Sequence, residues 1–464
     1  MIEDHIREDG ARPKAVLVAI KLPDVSPEAF ASSVSELERL VTTLGYDVVA
    51  QVTQTRTHLA PGAVLGEGKL EELGALTGGP GEITSPVPKK SNKARSRWEQ
   101  ENAAFTPEAE EPDDTDGREP GAASDIALVA VDHDLGPSQA RNLERATGTT
   151  VLDRTGVIIE IFHRHAKSRQ ARVQVEIARL AYTAPRLRES PSGKERQQGR
   201  GAGEASLELD RRKIRDRIAE LRQDLERIMA EQGTRQKARR DARTVALVGY
   251  TNAGKSSLMR SLTGSQVLVE DKLFATLDTT IRALYPEVTP RILVSDTVGF
   301  IKKLPHDLVA SFKSTLDEAA EASVLLHVVD AADPDWEAQH EVTLEVLREI
   351  GAGDVPKLLV MNKVDKLDEA RLATLSQRWP EAMFLSARLP ADVARLRAYV
   401  VSFFERNYVA AEFRVPYDRQ RLVSEMHEIG VVDETRYEDD AVFVRFRGEA
   451  AAVERLRGAI TRDP

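Results

Sequence analysis

Eight consecutive residues, Gly249-Tyr250-Thr251-Asn252-Ala253-Gly254-Lys255-Ser256, fit the spacing G-x-x-x-x-G-K-[ST] and follow the apolar run Val245 to Val248. The chemistry that this pattern serves is the binding of a nucleoside polyphosphate. A strand delivers the loop, and its glycines let backbone N–H groups close around the β-phosphate. Lys255 reaches the β and γ oxygens, and the Ser256 hydroxyl takes a place on Mg²⁺. Ser257 to Leu262 continues the segment as a helix, which an ordinary glycine-rich loop has no reason to do.

Further elements of a nucleotide site follow in order. Arg291 to Ser295 reads as an apolar strand ending in Asp296-Thr297-Val298-Gly299. At that spacing from Lys255, Asp296 is expected to hold Mg²⁺ through water and the Gly299 N–H to meet the γ-phosphate. Between the two motifs lies Phe274-Ala275-Thr276-Leu277-Asp278-Thr279-Thr280, a switch loop able to bring a threonine hydroxyl to Mg²⁺. Three threonines compete for that role, and the residues themselves leave the choice open.

The base is selected farther on. Val355 to Met361 is an apolar strand leading into Asn362-Lys363-Val364-Asp365. Asp365 can accept hydrogen bonds from guanine N1–H and the exocyclic amine, donors that adenine cannot present together, so GTP is preferred. Asn362 supports the loop, the Lys363 stem packs on the base, and Ser386-Ala387-Arg388 closes the purine pocket with the Ala387 N–H available to guanine O6. Phe300 departs from the general plan. Ras-like enzymes carry a glutamine after this glycine to orient attacking water, which a phenyl ring cannot do. Unassisted hydrolysis is therefore expected to be slow, with a partner that orders Phe300 to Leu308 as the trigger.

These motifs need a scaffold, and 464 residues are too many for one core, so two to four domains are expected. Hydrophobic residues make up 41% and charged residues 30%, a balance that points to some disorder. The net charge of −10 excludes a protein that is basic throughout but not one with a basic segment. The chain has no cysteine, hence no disulfide, thiolate nucleophile or zinc-thiolate site. An acidic N-terminus without an apolar core, and no run of about 18 apolar residues, lead to the expectation of a soluble cytoplasmic protein with no membrane span.

The fold class expected is multidomain α/β. Residues 1–155 read as a small α/β domain: strands at Ala15 to Leu22, Val48 to Val52, Ile126 to Val131 and Thr150 to Leu152, with helices at Pro27 to Leu44 and Pro137 to Thr147. Gly66 to Leu73 reads as a turn opening a helix, not as a second phosphate loop. Residues 79–124 hold few apolar positions and are expected to be a disordered insertion. Residues 156–240 read as a helical hairpin. One helix shows Val173, Ile177, Leu180 and Ala181 on a face, and another, Leu207 to Gln232, carries Ile214, Ile218, Leu221, Leu225 and Ile228. Between them Arg186 to Glu204 is a basic, glycine-rich tip. It is either a solvated loop or a probe for RNA phosphates. Residues 243–407 form the GTPase domain, and 408–464 a small α+β unit with no catalytic constellation.

Taken together these segments resemble the HflX-type GTPases along nearly the whole chain. The resemblance is carried by Gly68-Lys69-Leu70-Glu71-Glu72, Pro137 to Leu143, Asp153-Arg154-Thr155-Gly156, Asp210 to Ile214, Phe274 to Asp278, and Asp296 to Ile301 followed by Leu304 to Leu308. It implies a Ras-like GTPase domain in which Thr276 is the switch threonine on Mg²⁺. Lys255, Thr276 and Gly299 then act in catalysis, and Ser256, Thr276 and Asp296 hold the metal. It also implies a monomer that binds the large (50S) ribosomal subunit, not DNA, with the basic tip directed toward ribosomal RNA near the peptidyl transferase centre. The implied role is splitting or rescue of stalled ribosomes, or subunit maturation, under stress. Three features depart from the family pattern: the insertion 79–124, Thr279 where a proline is common, and Ser386 to Pro390 without the usual glycine-rich continuation. Two other functions compete with the leading one. One is an RNA-binding assembly factor with incidental hydrolysis. The other is an N-terminal ATP-dependent RNA remodeller, which the lack of a second complete phosphate loop disfavours.

Overall fold

The computed structural model describes residues 12–83, 125–187, 201–237, 243–264, 273–274, 280–302 and 318–461. The chain divides into two compact units, 1–158 and 159–464. The insertion expected at 79–124 falls largely outside the described residues.

The first unit is built on β1 (Lys14–Lys21), α1 (Pro27–Thr43), β2 (Asp47–Thr55), α2 (Glu67–Thr77), β3 (Ile126–Val131), α3 (Pro137–Thr147) and β4 (Thr150–Asp153). The strands pair in the order β2-β1-β3-β4, all parallel. In β1 the run Ala15 to Ile20 is buried throughout, as a central parallel strand covered on both faces must be. Ser26 caps α1 by accepting from the Ala29 N–H at 3.1 Å, with Pro27 in the first turn, and α2 opens at Gly66 as a plain helix start.

Where β3 and β4 end, the chain buries charge. Arg154, the first residue of α4 (Arg154–His165), lies 2.5 Å from Glu36 and 2.7 Å from Asp132, and Ser33 donates to Asp132 at 2.6 Å. All four side chains are inaccessible to solvent. An isolated charge could not be buried there, so the arginine and its two carboxylates are mutually required.

The second unit contains three layers of organisation in sequence. Helices α5 (Arg169–Thr183) and α6 (Gly201–Lys237) pack on each other. On α6 the stripe expected from the sequence is present, with Leu221 and Ile228 buried. On α5 the buried face is Ala171, Gln174, Val175, Ile177 and Ala178; Val173 and Leu180 sit at its rim and Ala181 is exposed. The small side chains of Ala171 and Ala178 set that face, an effect a search for bulky apolar residues overlooks. Arg186 ends a short 3-10 turn, and α6 begins at Gly201, so residues 201–204 are helical and not part of a glycine-rich loop. A glycine costs a helix only about 1 kcal/mol, little for a helix that continues over 37 residues. The remainder of the tip, 188–200, lies outside the described residues.

The central sheet of this unit comprises β5 (Arg243–Gly249), β6 (Thr280–Ala283), β7 (Ile292–Asp296), β8 (Val324–Asp330), β9 (Lys357–Asn362) and β10 (Met383–Phe384), in the order β10-β9-β8-β5-β7-β6. Only β6 runs antiparallel. Helices α7 (Lys255–Thr263), α8 (Trp336–Glu349), α9 (Glu369–Arg378) and α10 (Pro390–Glu405) connect it. Val245, Leu247, Val294, Leu326, Val328 and Val360 of the strands bury against Leu258, Leu262, Leu396 and Val400 of α7 and α10. Every motif singled out for nucleotide chemistry and described in the structure, Phe274 apart, follows the carboxyl end of one of these strands, where open α/β sheets bind ligands.

The last segment is β11 (Val409–Pro416), α11 (Arg421–Ile429), β12 (Val431–Tyr437), β13 (Ala441–Gly448) and α12 (Ala450–Thr461), an antiparallel sheet β11-β13-β12. The strand β12 was not anticipated, because its polar face (Asp433, Glu434, Arg436) masks the alternation. Among the described residues no helix is long and apolar enough to cross a membrane.

Candidate nucleotide-binding site

The loop between β5 and α7 has a backbone that only its own residues permit. Gly249 has φ +146°, and a Cβ there would stand 2.1 Å from the Val328 carbonyl oxygen. Gly254, at φ +97°, would place a Cβ 2.2 Å from Asn362 Nδ2. The chain therefore turns sharply and enters α7 at Lys255 with no side chain capping its first amides. Uncapped N–H groups at a helix start are anion donors.

Lys255 is almost wholly buried. Its ammonium donates to the carbonyls of Gly249 at 3.1 Å and Tyr250 at 2.8 Å. Burial pulls its pKa down to about 8, opposed by the charge of Asp296. The Ser256 hydroxyl donates to Asp296 Oδ2 at 2.8 Å, so the serine of the loop and the acid at the end of β7 meet although 40 residues separate them. Thr297 fixes that strand end by donating to the Leu247 carbonyl at 2.7 Å, and Val298 and Gly299 are buried behind it.

The segment after Gly299 is tied to the phosphate loop. Thr251 N–H donates to the Phe300 carbonyl at 2.8 Å, Phe300 N–H donates to the Gly249 carbonyl at 3.1 Å, and the two backbones form a parallel bridge at Tyr250 and Phe300. The Tyr250 hydroxyl accepts from the Lys302 N–H at 2.6 Å. The Phe300 ring is buried, so it is a packing group.

On the other flank Asn362 joins two loops. Its Nδ2 donates to the Ala253 carbonyl at 2.8 Å and its Oδ1 accepts from the Ala387 N–H at 3.1 Å. That amide, expected to face guanine O6, is thus held by Asn362 in this structure. Lys363, with φ +63°, donates from Nζ to the Asn252 carbonyl and to Asp330 Oδ2, each at 2.7 Å. Ser386 N–H is held by Asp392 at 2.8 Å, and Val364 N–H by the Leu385 carbonyl at 3.4 Å. Asp365 and Arg388 are exposed. Asp330 was missed from the sequence. Its only signal is its place at the end of an apolar strand, Val324 to Val329.

The switch loop is described only at its start. Residues 275–279, and with them Ala275, Thr276, Leu277 and Asp278, lie outside the described residues. Phe274, which the sequence placed in the nucleotide set, is buried instead in an edge-to-face contact with Phe162, ring centroids 4.6 Å apart. An aromatic ring in an otherwise polar loop buries itself where another ring is within reach.

A family described as 50S ribosome-binding GTPase matches residues 244–363, one described as GTP-binding GTPase middle region matches 165–239, and one described as GTP-binding GTPase N-terminal matches 31–80 and 118–163. The chain is 57% identical to the GTPase HflX of Gluconacetobacter diazotrophicus, over 97% of this chain and 98% of that one. It is 41% identical to the GTPase HflX of Escherichia coli, over 68% of this chain and 76% of that one. Among solved structures, a GTP-binding protein from Sulfolobus solfataricus in complex with GDP aligns at 23% identity with a TM-score of 0.41, covering 84% of this chain and 99% of that one.

Proposed function

The chain belongs to the HflX family of GTPases, and from that premise we propose that it binds the large (50S) ribosomal subunit and couples its GTP cycle to ribosome splitting or rescue, or to subunit maturation, under stress. It hydrolyses GTP to GDP and phosphate. The observation that carries a GTP-specific reading is the Asn362 side chain, which ties the phosphate loop at Ala253 to the base-closing loop at Ala387 and makes one site of the two.

In this reading the amides of residues 252–256 and Lys255 hold the β and γ oxygens, Gly299 N–H meets the γ-phosphate, and Asp365 accepts from the guanine edge. Ser256 and Asp296, adjacent hard oxygen donors, fit Mg²⁺ together with the phosphates, and Thr276 is the third protein ligand. When bound, the ion neutralises charge on the β and γ oxygens. The chain acts as a monomer in the cytoplasm, with its basic tip toward ribosomal RNA. Among the described residues of the first unit, nothing supports a second nucleotide site. The β1–α1 junction, Leu22 to Ser26, contains no glycine, and Arg154, which follows the end of β4, is already neutralised.

Sedimentation with purified 50S subunits tests the coupling. Pelleting with a non-hydrolysable GTP analogue but not with GDP is expected; equal pelleting in both states removes the nucleotide from control of docking. Single-turnover GTP hydrolysis is expected to accelerate on adding 50S subunits, and an unchanged rate removes them as the trigger.

A further inference from the structure

Resting on the reading that residues 249–256 receive the phosphates of GTP, we propose that Thr251 is a catalytic residue, whose hydroxyl contacts the γ-phosphate and the attacking water during hydrolysis. It would take over the water-orienting work that a buried phenyl ring at position 300 cannot do.

One buried polar atom beside the phosphate loop has no hydrogen-bond partner among the described residues. Thr251 is 7% exposed, and its Oγ1 is buried without a hydrogen-bond partner among the described residues. Other buried threonines in the chain satisfy their hydroxyls locally: Thr77, Thr147 and Thr343 donate to carbonyls of their own helices, and Thr297, in the same site, donates to Leu247. A buried hydroxyl left unpaired carries a desolvation cost that valine, of the same shape, would not. Such a group calls for an explanation, and its surroundings supply one.

Thr251 is held in place by its backbone, whose N–H is fixed on Phe300. Two groups converge beside it, Gly299 and Lys255. A methyl group built on Gly299 would lie 2.7 Å from Thr251 Cγ2, 2.8 Å from Thr251 Cα and 3.0 Å from Lys255 Nζ. Lys255 and the Gly299 N–H are the two groups assigned to the γ-phosphate, so the threonine borders the place where the terminal phosphoryl group reacts, with its Cγ2 and Cα facing Gly299 and its hydroxyl one side-chain rotation from that place. A hydroxyl there is both a donor and an acceptor. It donates to a γ oxygen and accepts one O–H of the attacking water, keeping its own proton throughout.

The step balances without any further reactant. The water oxygen forms the new bond to the γ-phosphorus, and the bond from that phosphorus to the β–γ bridging oxygen breaks. The electron pair of the broken bond stays on the β-phosphate of GDP, and the proton lost by the water leaves on inorganic phosphate.

Two substitutions in the full chain, Thr251→Val and Thr251→Ser, test the proposal. Single-turnover hydrolysis is measured beside titrations with fluorescent GDP and a non-hydrolysable GTP analogue. Thr251→Val keeps the shape and loses the hydroxyl, so the rate is expected to fall roughly 10- to 100-fold while GDP affinity stays within about twofold. Thr251→Ser is expected to keep most of the rate. The nucleotide-free Thr251→Val chain is expected to melt no lower than the wild type, since an unsatisfied polar atom has gone. Hydrolysis by Thr251→Val at the wild-type rate overturns the proposal, and so does a loss of GDP affinity parallel to the loss of rate, which would mean a deformed loop. A wild-type chain that binds neither nucleotide is a different result, and defeats the phosphate-loop reading itself.

Discussion

Two sheets in this chain, one all parallel and one parallel except for β6, end in buried charge, and they resolve it in opposite ways. In the first unit Arg154 meets Glu36 and Asp132 directly, and Ser33 completes the set. In the second, among the described residues, Lys255 meets two carbonyls with Asp296 as a more distant counter-charge, its pKa drawn down to about 8, and Thr251 keeps an unbonded hydroxyl. The first arrangement neutralises its arginine from within the chain. The second is left under strain that an anion would relieve. The strand ends of such a sheet thus distinguish structure from site by whether their buried charges are already paired.

The largest effect should come from removing the unsatisfied cation. Lys255→Met is expected to lower GDP and GTP affinity on the order of 100-fold or more and to abolish measurable turnover, while the nucleotide-free chain gains stability because a costly burial disappears. Fluorescent nucleotide titration and thermal melting measure the two together. A destabilised Lys255→Met chain would place this lysine in the same structural class as Arg154 and collapse the contrast.

The reciprocal substitution, Arg154→Met, strands two buried carboxylates and should cost about 3–5 kcal/mol in denaturant unfolding. Nucleotide affinity is expected to stay unchanged. Loss of GDP binding in a still-folded Arg154→Met chain would show that the first unit is not self-contained.

Sharper still, though smaller, is the pH dependence of binding. Between pH 8 and the ordinary lysine range the nucleotide-free site gives up the Lys255 proton, whereas a bound polyphosphate retains it. Affinity should be flat below pH 8 and decline above it, with proton uptake on binding visible by calorimetry in buffers of different ionisation heat. The same depressed value makes the nucleotide-free fold more stable as pH rises above 8, because the unfolded chain then holds the proton that the folded one has lost. An affinity that does not change up to pH 10 would mean that burial does not perturb this amine.

The smallest effect separates desolvation from site formation. His327, mid-strand in β8, is buried with its Nε2 unpaired and stacks on His340 at 4.7 Å; burial first, and then the neighbouring cations, push its pKa to about 3. Between pH 6.5 and 3 the unfolded chain takes up a proton that the folded chain refuses, so stability falls as pH drops through that window. His327→Leu should flatten the decline and leave nucleotide binding intact, as shown by urea unfolding at pH 5 and pH 7. A weakened GDP affinity would make this histidine part of the site after all.

What could be read in advance follows the same division. Gly249 to Ser256, Asp296 to Gly299 and Asn362 to Asp365 are short contiguous strings whose spacing reflects a local geometry, so the strand ends that carry them were evident. The elements framing them were legible wherever hydrophobic periodicity was strong, as in α1, α3 and β3. Long-range pairing was not. Nothing local links Arg154 to Glu36, or Lys363 to Asp330, and the unbonded Thr251 hydroxyl is a property of its neighbours. Phe274 was misjudged because its loop was read for threonines while its ring found Phe162. The edge strand β6 was passed over because four residues give too little pattern to count.

The bridge between Tyr250 and Phe300 also joins two amides in time. Thr251 N–H and Phe300 N–H can reach solvent only when that bridge opens, so they should exchange deuterium as a pair, at the rate of one opening event. Their shared protection is a clock for the trigger. Whatever partner accelerates hydrolysis by moving the segment after Gly299 must change both amides by the same factor.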